Sequence, residues 1–142
     1  FVDGLPAEAN GVRLRHAIEV RDKEKVDKTL VDIARKKNAA LVYTDSPDWP
    51  SFADVTADFV YARLMQAKSA EPAGYPRAAL KQWAERARTW ARGGEPDDLP
   101  RLAGPASKAR HGDVFVFFIN ADKERNPAAA MALIELLEGK KK

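Results

Sequence analysis

A chain of 142 residues, 45% hydrophobic and 32% charged, is long enough to bury one core and is neither fibrous nor disordered in composition. It contains no Cys, which excludes a disulfide framework, a thiolate nucleophile and a sulfur-ligated zinc. Its net charge of +3, from 24 basic and 21 acidic side chains, is too small to be a nucleic-acid footprint on its own.

No window approaches the roughly 18 consecutive apolar residues of a membrane span. Residues 1–11 contain Asp3 and Glu8 and lack the basic region and apolar core of a signal peptide. A cytoplasmic protein without membrane contact is expected. Phe1 is not expected to be a natural start, since no initiator Met is present.

Residues 1–11 give no firm period. Residues 13–21 (RLRHAIEVR) predict a strand of mixed polarity, with Glu19 and Arg21 sharing a face near its end. Residues 23–37 predict an amphipathic helix with Val26, Leu30, Ile33 and Ala34 on one side. Residues 39–44 (AALVYT) form a buried strand that ends in Asp45 and Ser46. Pro47 and Pro50 then forbid a regular helix, leaving a short turn before the next element.

Residues 59–64 (FVYARL) predict a third strand, with Arg63 on the face of Phe59 and Tyr61. A guanidinium there needs an anion or a carboxylate to face. Residues 65–75 are a loop, and Pro76 opens a helix over 77–92. That helix buries Leu80, Trp83, Ala84, Ala87, Trp90 and Ala91, and Gly93-Gly94 stops it. Residues 95–112 are a Pro/Gly-rich connection. Residues 113–120 (DVFVFFIN) are apolar on both faces, the mark of a strand covered on both sides. Asn126 as N-cap and Pro127 at the first helical position open a last helix, whose face is Ala130, Leu133, Ile134 and Leu137.

The order strand, helix, strand, turn, strand, helix, strand, helix predicts a single α/β domain over 1–142 with parallel strands. These form either an open doubly wound sheet or part of a barrel. Neither GxGxxG nor GxxxxGK[ST] occurs, which weighs against a nucleotide-binding open sheet.

Taken together, RHAIEVR, ALVYTDSPDWP, DVTADFVYARL, the helix around Trp83 and Trp90, and DVFVFFIN followed by AAAMALIELL resemble the carboxyl-terminal half of the YecE-like family, domain-of-unknown-function family 72. The resemblance runs from about Leu14 to Leu137. It implies a parallel (β/α) barrel of TIM type, here about four βα units, in other words a half barrel, with no established biochemical function. A half barrel exposes an apolar inner wall and two strand edges, so the amino-terminal half of the barrel or a second copy is the expected partner. The chain departs from the family pattern in three places. Met65-Gln66 stand where His-Gly is usual, Ile119-Asn120 where Asn-Asn is usual, and no His precedes the final helix. Histidine-dependent chemistry loses its groups here.

In such a barrel the strand tips and βα loops share one functional face. This implies Glu19 and Asp45 as catalytic candidates, with Arg21, Arg63, Tyr75, Asn120, Lys123 and Arg125 binding substrate. Two accounts of Glu19 and Asp45 stand side by side: an acid/base pair or hard-cation ligand set, or simple neutralisation of Arg21 and Arg63. Arg63, Lys123, Arg125 and the amides opening the helix at Pro127 suggest a site for a small anionic ligand. Trp49 either stacks on a ligand or packs over the rim. The basic loop with Arg101, Lys108, Arg110 and His111 falls on the opposite face. No metal and no cofactor are expected. Two functions follow: an enzyme acting on a small anionic or phosphorylated substrate, or a nucleic-acid-binding protein without catalysis.

Overall fold

The computed structural model describes residues 4, 6, 8–48, 50–104 and 112–139. Trp49, Lys108, Arg110 and His111 lie outside the described residues.

The predicted strand over 13–21 is divided. Strands β1 (Glu8–Ala9) and β2 (Val12–Arg13) form a small antiparallel hairpin, turned by Asn10 and Gly11, both at positive φ. Strand β3 (Ala17–Ile18) follows and begins the parallel part of the molecule.

The helix expected over 23–37 is also divided, for a local reason. The Asp22 carboxylate takes the Glu24 N–H and caps a short 3-10 turn, Lys23–Lys25, while Asp27 takes the Leu30 N–H at 2.9 Å and starts helix α1 (Lys28–Lys36) afresh. Two capping side chains five positions apart satisfy two sets of orphan amides, so the chain restarts. The buried side of α1 is Val31 and Ala34, whereas Ile33, expected on it, is 42% exposed.

Strands β4 (Ala40–Leu41) and β5 (Tyr43–Thr44) are one nearly continuous run that pairs in parallel on both sides. β4 pairs with β3, and β5 with β6 (Phe59–Leu64). Among the described residues no helix intervenes between β5 and β6, in keeping with the two prolines. Strand β6 pairs in parallel with β7 (Asp113–Phe118) along its whole length, from Phe59 opposite Asp113 to Leu64 opposite Phe118. The result is a mixed α/β protein with parallel strands in small sheets; among the described residues they do not close into a barrel.

Helix α2 (Arg77–Ala91) follows Pro76 and presents Leu80, Trp83, Ala84, Ala87 and Trp90 to the sheet at helical spacing; Ala91, expected there too, is exposed. Helix α3 (Asn126–Leu137) lies beside it. Both cover the side of the sheet formed by Ala62, Leu64, Val114, Val116 and Phe118, and the principal core is the cluster these make with Tyr43, Trp83, Trp90 and Leu133. In α3 the buried residues are Asn126, Ala129 and Leu133, while Ile134 and Leu137 are 54% and 38% exposed. The expected apolar face is therefore rotated. Asn126 is not the N-cap but the first helical residue, its side-chain amide donating to the Asn120 carbonyl at 3.2 Å.

The other side of the sheet is less fully covered, although Phe59 on it is buried. Strand β7 is not covered on both faces: Phe115 and Phe117 are 38% and 42% exposed, beside Phe59, Tyr61 and Arg63 of β6. Helices cover one face only, and an apolar composition cannot report whether a second layer exists. The sheet curls toward this less covered face. Arg15, just before β3, reaches Asp113 of β7 at 2.9 Å, and its guanidinium lies over the Phe59 ring at 5.2 Å. Three flat inter-strand spacings would separate those strands by about 14 Å, close to the full reach of the two extended side chains and the bond between them.

Candidate functional site

All parallel strands deliver their carboxyl ends to one rim, where the polar residues that follow them gather. Alternation along the strands sorts these residues into two sets.

The first set belongs to the less covered face. Glu19 follows β3, and its carboxylate receives Arg63, from the end of β6, and the Nε of Arg21 at 2.7 Å. Burial alone raises the Glu19 carboxyl, but hydrogen bonds and charge from Arg63 and Arg21 outweigh it and hold the group below the ordinary carboxylate range. Glu19 is thus held ionised, and its proton-accepting capacity is spent on two guanidiniums. A carboxylate depressed in the folded state contributes stability that is fully present above its unfolded value, near 4.5, and is lost as pH falls through the folded value. Glu19→Gln is therefore expected to be less stable than the parent at neutral pH and to lose less on acidification below about pH 4.5. Thermal melts of both proteins across that window check it; parallel curves would sink the assignment.

The second set lies on the helix-covered side. Asp45, one residue past β5, is 8% exposed. Its carboxylate accepts the Met65 N–H and the Tyr75 hydroxyl, the latter at 3.0 Å, and Tyr75 in turn accepts the Gln66 N–H at 2.9 Å. Its backbone is fixed as well, since Asp45 N donates to Arg63 O and the Gln66 side chain donates to Asp45 O. Burial pushes the Asp45 carboxyl up against the opposing effect of these donors, and burial followed by the Asp45 charge pushes the Tyr75 hydroxyl up. Asp45 is a desolvated, oriented carboxyl.

Asp45 opens on a cleft of about 460 Å³ between the end of β5 and α2, lined also by Ser51, Gln66, Lys68, Glu71, Tyr75 and Arg86 over Tyr43 and Trp83. Arg86 is fixed by its stack on Trp83, 4.3 Å from the ring centroid, and by a two-pronged ion pair to Asp98. Lys68 is exposed at the entrance. Sequence reasoning passed over Gln66, Lys68 and Arg86. The signal for Arg86 was present: it stands three residues after Trp83, one helical turn on the same face.

The remaining candidates belong to the loop after β7. Asn120 and Ala121 both adopt positive φ, 57° and 51°, turning the chain from strand to helix, and the Asn120 carbonyl is taken by Asn126. Lys123 is exposed. Arg125 donates its Nε to the Ser69 carbonyl at 3.0 Å, while Asp122 accepts the Ser69 N–H, so this loop is tied to 67–74. Glu19, Arg21 and Arg63 are thus brought together, Asp45 joins Tyr75, and Asn120, Lys123 and Arg125 occupy a third stretch of the rim. Arg101 pairs with Glu95 at 3.7 Å. Among the described residues no group of three or more His, Asp or Glu could hold a metal ion, and no helix is long and apolar enough to cross a membrane.

Parallel strands in small sheets, packed against helices, define a mixed α/β protein. The chain matches, over residues 1–142, the family model described as protein of unknown function DUF72, and it belongs to that family. No curated protein and no solved structure matches it.

Proposed function

We propose that this chain supplies four consecutive strands of a TIM-type (β/α) barrel, three of them followed by a helix, and that it binds a small anionic substrate, of the phosphorylated class, in the cleft beside Asp45. The curl of the parallel sheet, with Arg15 reaching Asp113, supports the barrel. The observation that carries the function is a buried carboxyl, oriented by Met65 and Tyr75, at the wall of a cleft that also holds Lys68 and Arg86.

In this account Lys68 and the fixed Arg86 hold the anionic group, Gln66 and Ser51 hydrogen-bond the rest of the substrate, and Asp45 moves a proton. Asp45 suits that task better than Glu19, because burial raises its carboxyl whereas Glu19 is held ionised. Glu19, Arg63 and Arg21 brace the rim from the other side of the sheet, and Arg21, with its side chain 53% exposed, adds positive charge at the strand ends.

Titration with inorganic phosphate, followed by backbone amide shifts, tests the site. The expected shifts centre on 66–68 and 83–86, and Lys68→Ala weakens binding about tenfold. Shifts confined to 101–104, or none at all, would remove the case.

A further inference from the structure

The cleft beside Asp45 holds a charge that binding an anion does not use. Glu71 lines it, half-buried, and its carboxylate has no hydrogen-bond or ion-pair partner among the described residues. Backbone bonds fix its place. Glu71 N donates to Lys68 O at 3.0 Å, Gly74 N to Glu71 O at 2.9 Å, and Lys68 N to Gly74 O at 2.7 Å, so 68–74 closes on itself. The closed loop is braced from outside as well. Asp122 accepts the Ser69 N–H, and Gly74 lies so near the loop after β7 that a Cβ on it would stand 3.1 Å from the Arg125 Cβ. Lys68 and Glu71 are therefore presented to the cleft from the two ends of one fixed turn, with no ion pair between them, and little ordering is left for a ligand to impose.

The charges around the cleft say what Glu71 is for. Arg86 is already met by Asp98 through its Nε and Nη2, and offers further N–H donors rather than surplus charge. Lys68 remains, and Glu71 offsets it even where Asp45 carries a proton. A phosphate monoester, close to a dianion at neutral pH, would thus enter a cleft without net positive charge and beside an unpaired carboxylate. A hydroxyl on the ligand could hydrogen-bond Glu71 but would leave that imbalance. An ammonium removes it.

We infer that the ligand is a zwitterion, the free phosphate monoester of a small amino alcohol, with its ammonium seated on Glu71 and its phosphate on Lys68 and Arg86. The inference rests on the cleft reading above and names the class of molecule that the cleft selects, with Glu71 as the selecting residue. A volume of about 460 Å³ falls within the range of small-molecule sites.

Isothermal titration calorimetry on the 142-residue chain tests it with three esters. O-phosphoethanolamine carries the ammonium, propyl phosphate has a methyl group in its place, and 2-hydroxyethyl phosphate a hydroxyl. The first is expected to bind about tenfold more tightly than either of the others. Glu71→Gln should abolish that preference and at the same time tighten inorganic phosphate about threefold, because a repelling charge is gone. A merely structural role for Glu71 would weaken both ligands together. Equal affinity of the parent for the three esters overturns the inference, and so does a Glu71→Gln variant that loses ammonium ester and inorganic phosphate alike. No binding is expected to vesicles bearing phosphoethanolamine headgroups; vesicle binding that Glu71→Gln abolishes would overturn the assignment to a free monoester. Phosphate-induced amide shifts at 66–68 and 83–86 without any preference among the esters would sink this inference alone, whereas failure of every phosphate to bind would sink the cleft reading with it.

Discussion

Leu64→Ala is expected to destabilise the protein by about 3 kcal/mol, with a fall in Tm of about 10 °C. Leu64 is 0% exposed and is the last residue of β6, where the core cluster brings together Tyr43, Tyr75, Leu80, Trp83 and Leu133. Truncation leaves a void bounded by an aromatic wall and a strand, neither of which can collapse freely, because Tyr75 is pinned to Asp45 and Phe118 stands opposite Leu64 in the ladder. The cost falls near the middle of the large-to-small range. The Leu64 backbone is unaffected, so its carbonyl still accepts the Ile119 N–H at 3.0 Å. Chemical denaturation with an unchanged m-value checks the prediction; a loss under about 1 kcal/mol would mean that the site repacks.

The same residue shows where sequence pattern is informative. Residues 59–64 were legible as a strand because β-branched and aromatic residues dominate a six-residue run bounded by polar segments. The need of Arg63 for an anion or a carboxylate was legible too, because a guanidinium at the end of an apolar strand cannot stand alone. Which carboxylate it takes was not. Glu19 and Asp45 both follow a strand by one residue, and only the register, Thr44 opposite Arg63, sets Asp45 on the far side of the sheet from Arg63 and leaves Glu19 as the partner. The division of the helix over 23–37 was encoded in Asp22 and Asp27, but capping competes with periodicity and the apolar pattern runs through both pieces.

Two features were beyond the reach of pattern. Phe115 and Phe117 have the composition of buried residues, yet burial is a property of what covers them, and the described helices α1, α2 and α3 pack elsewhere on the strands. The cleft draws Asp45, Ser51, Lys68 and Arg86 from four separate segments. Those segments are far apart in sequence, so no local period could bring them together.

Gly112→Ala is expected to cost about 2 kcal/mol and, unlike Leu64→Ala, to act on one strand first. Gly112 precedes β7 where the chain passes the start of β6. A Cβ there would be driven into the Asp58 carbonyl oxygen, with the carbonyl carbon at 3.1 Å. The obstacle is backbone, not a side chain that can swing aside, and Gly112 N is also held by Ala91 O at 3.3 Å. Relief must come from moving β7 away from β6 at their paired beginning, Phe59 opposite Asp113. That movement also separates Asp113 from Arg15, the bridge across the less covered face. Native-state hydrogen exchange distinguishes a local from a global effect: amides of 113–118 should lose protection beyond the overall loss of stability, while those of α1 follow the overall loss alone. Uniform loss across both would show that β7 is not displaced separately and that the close approach at Asp58 is absorbed by the whole domain.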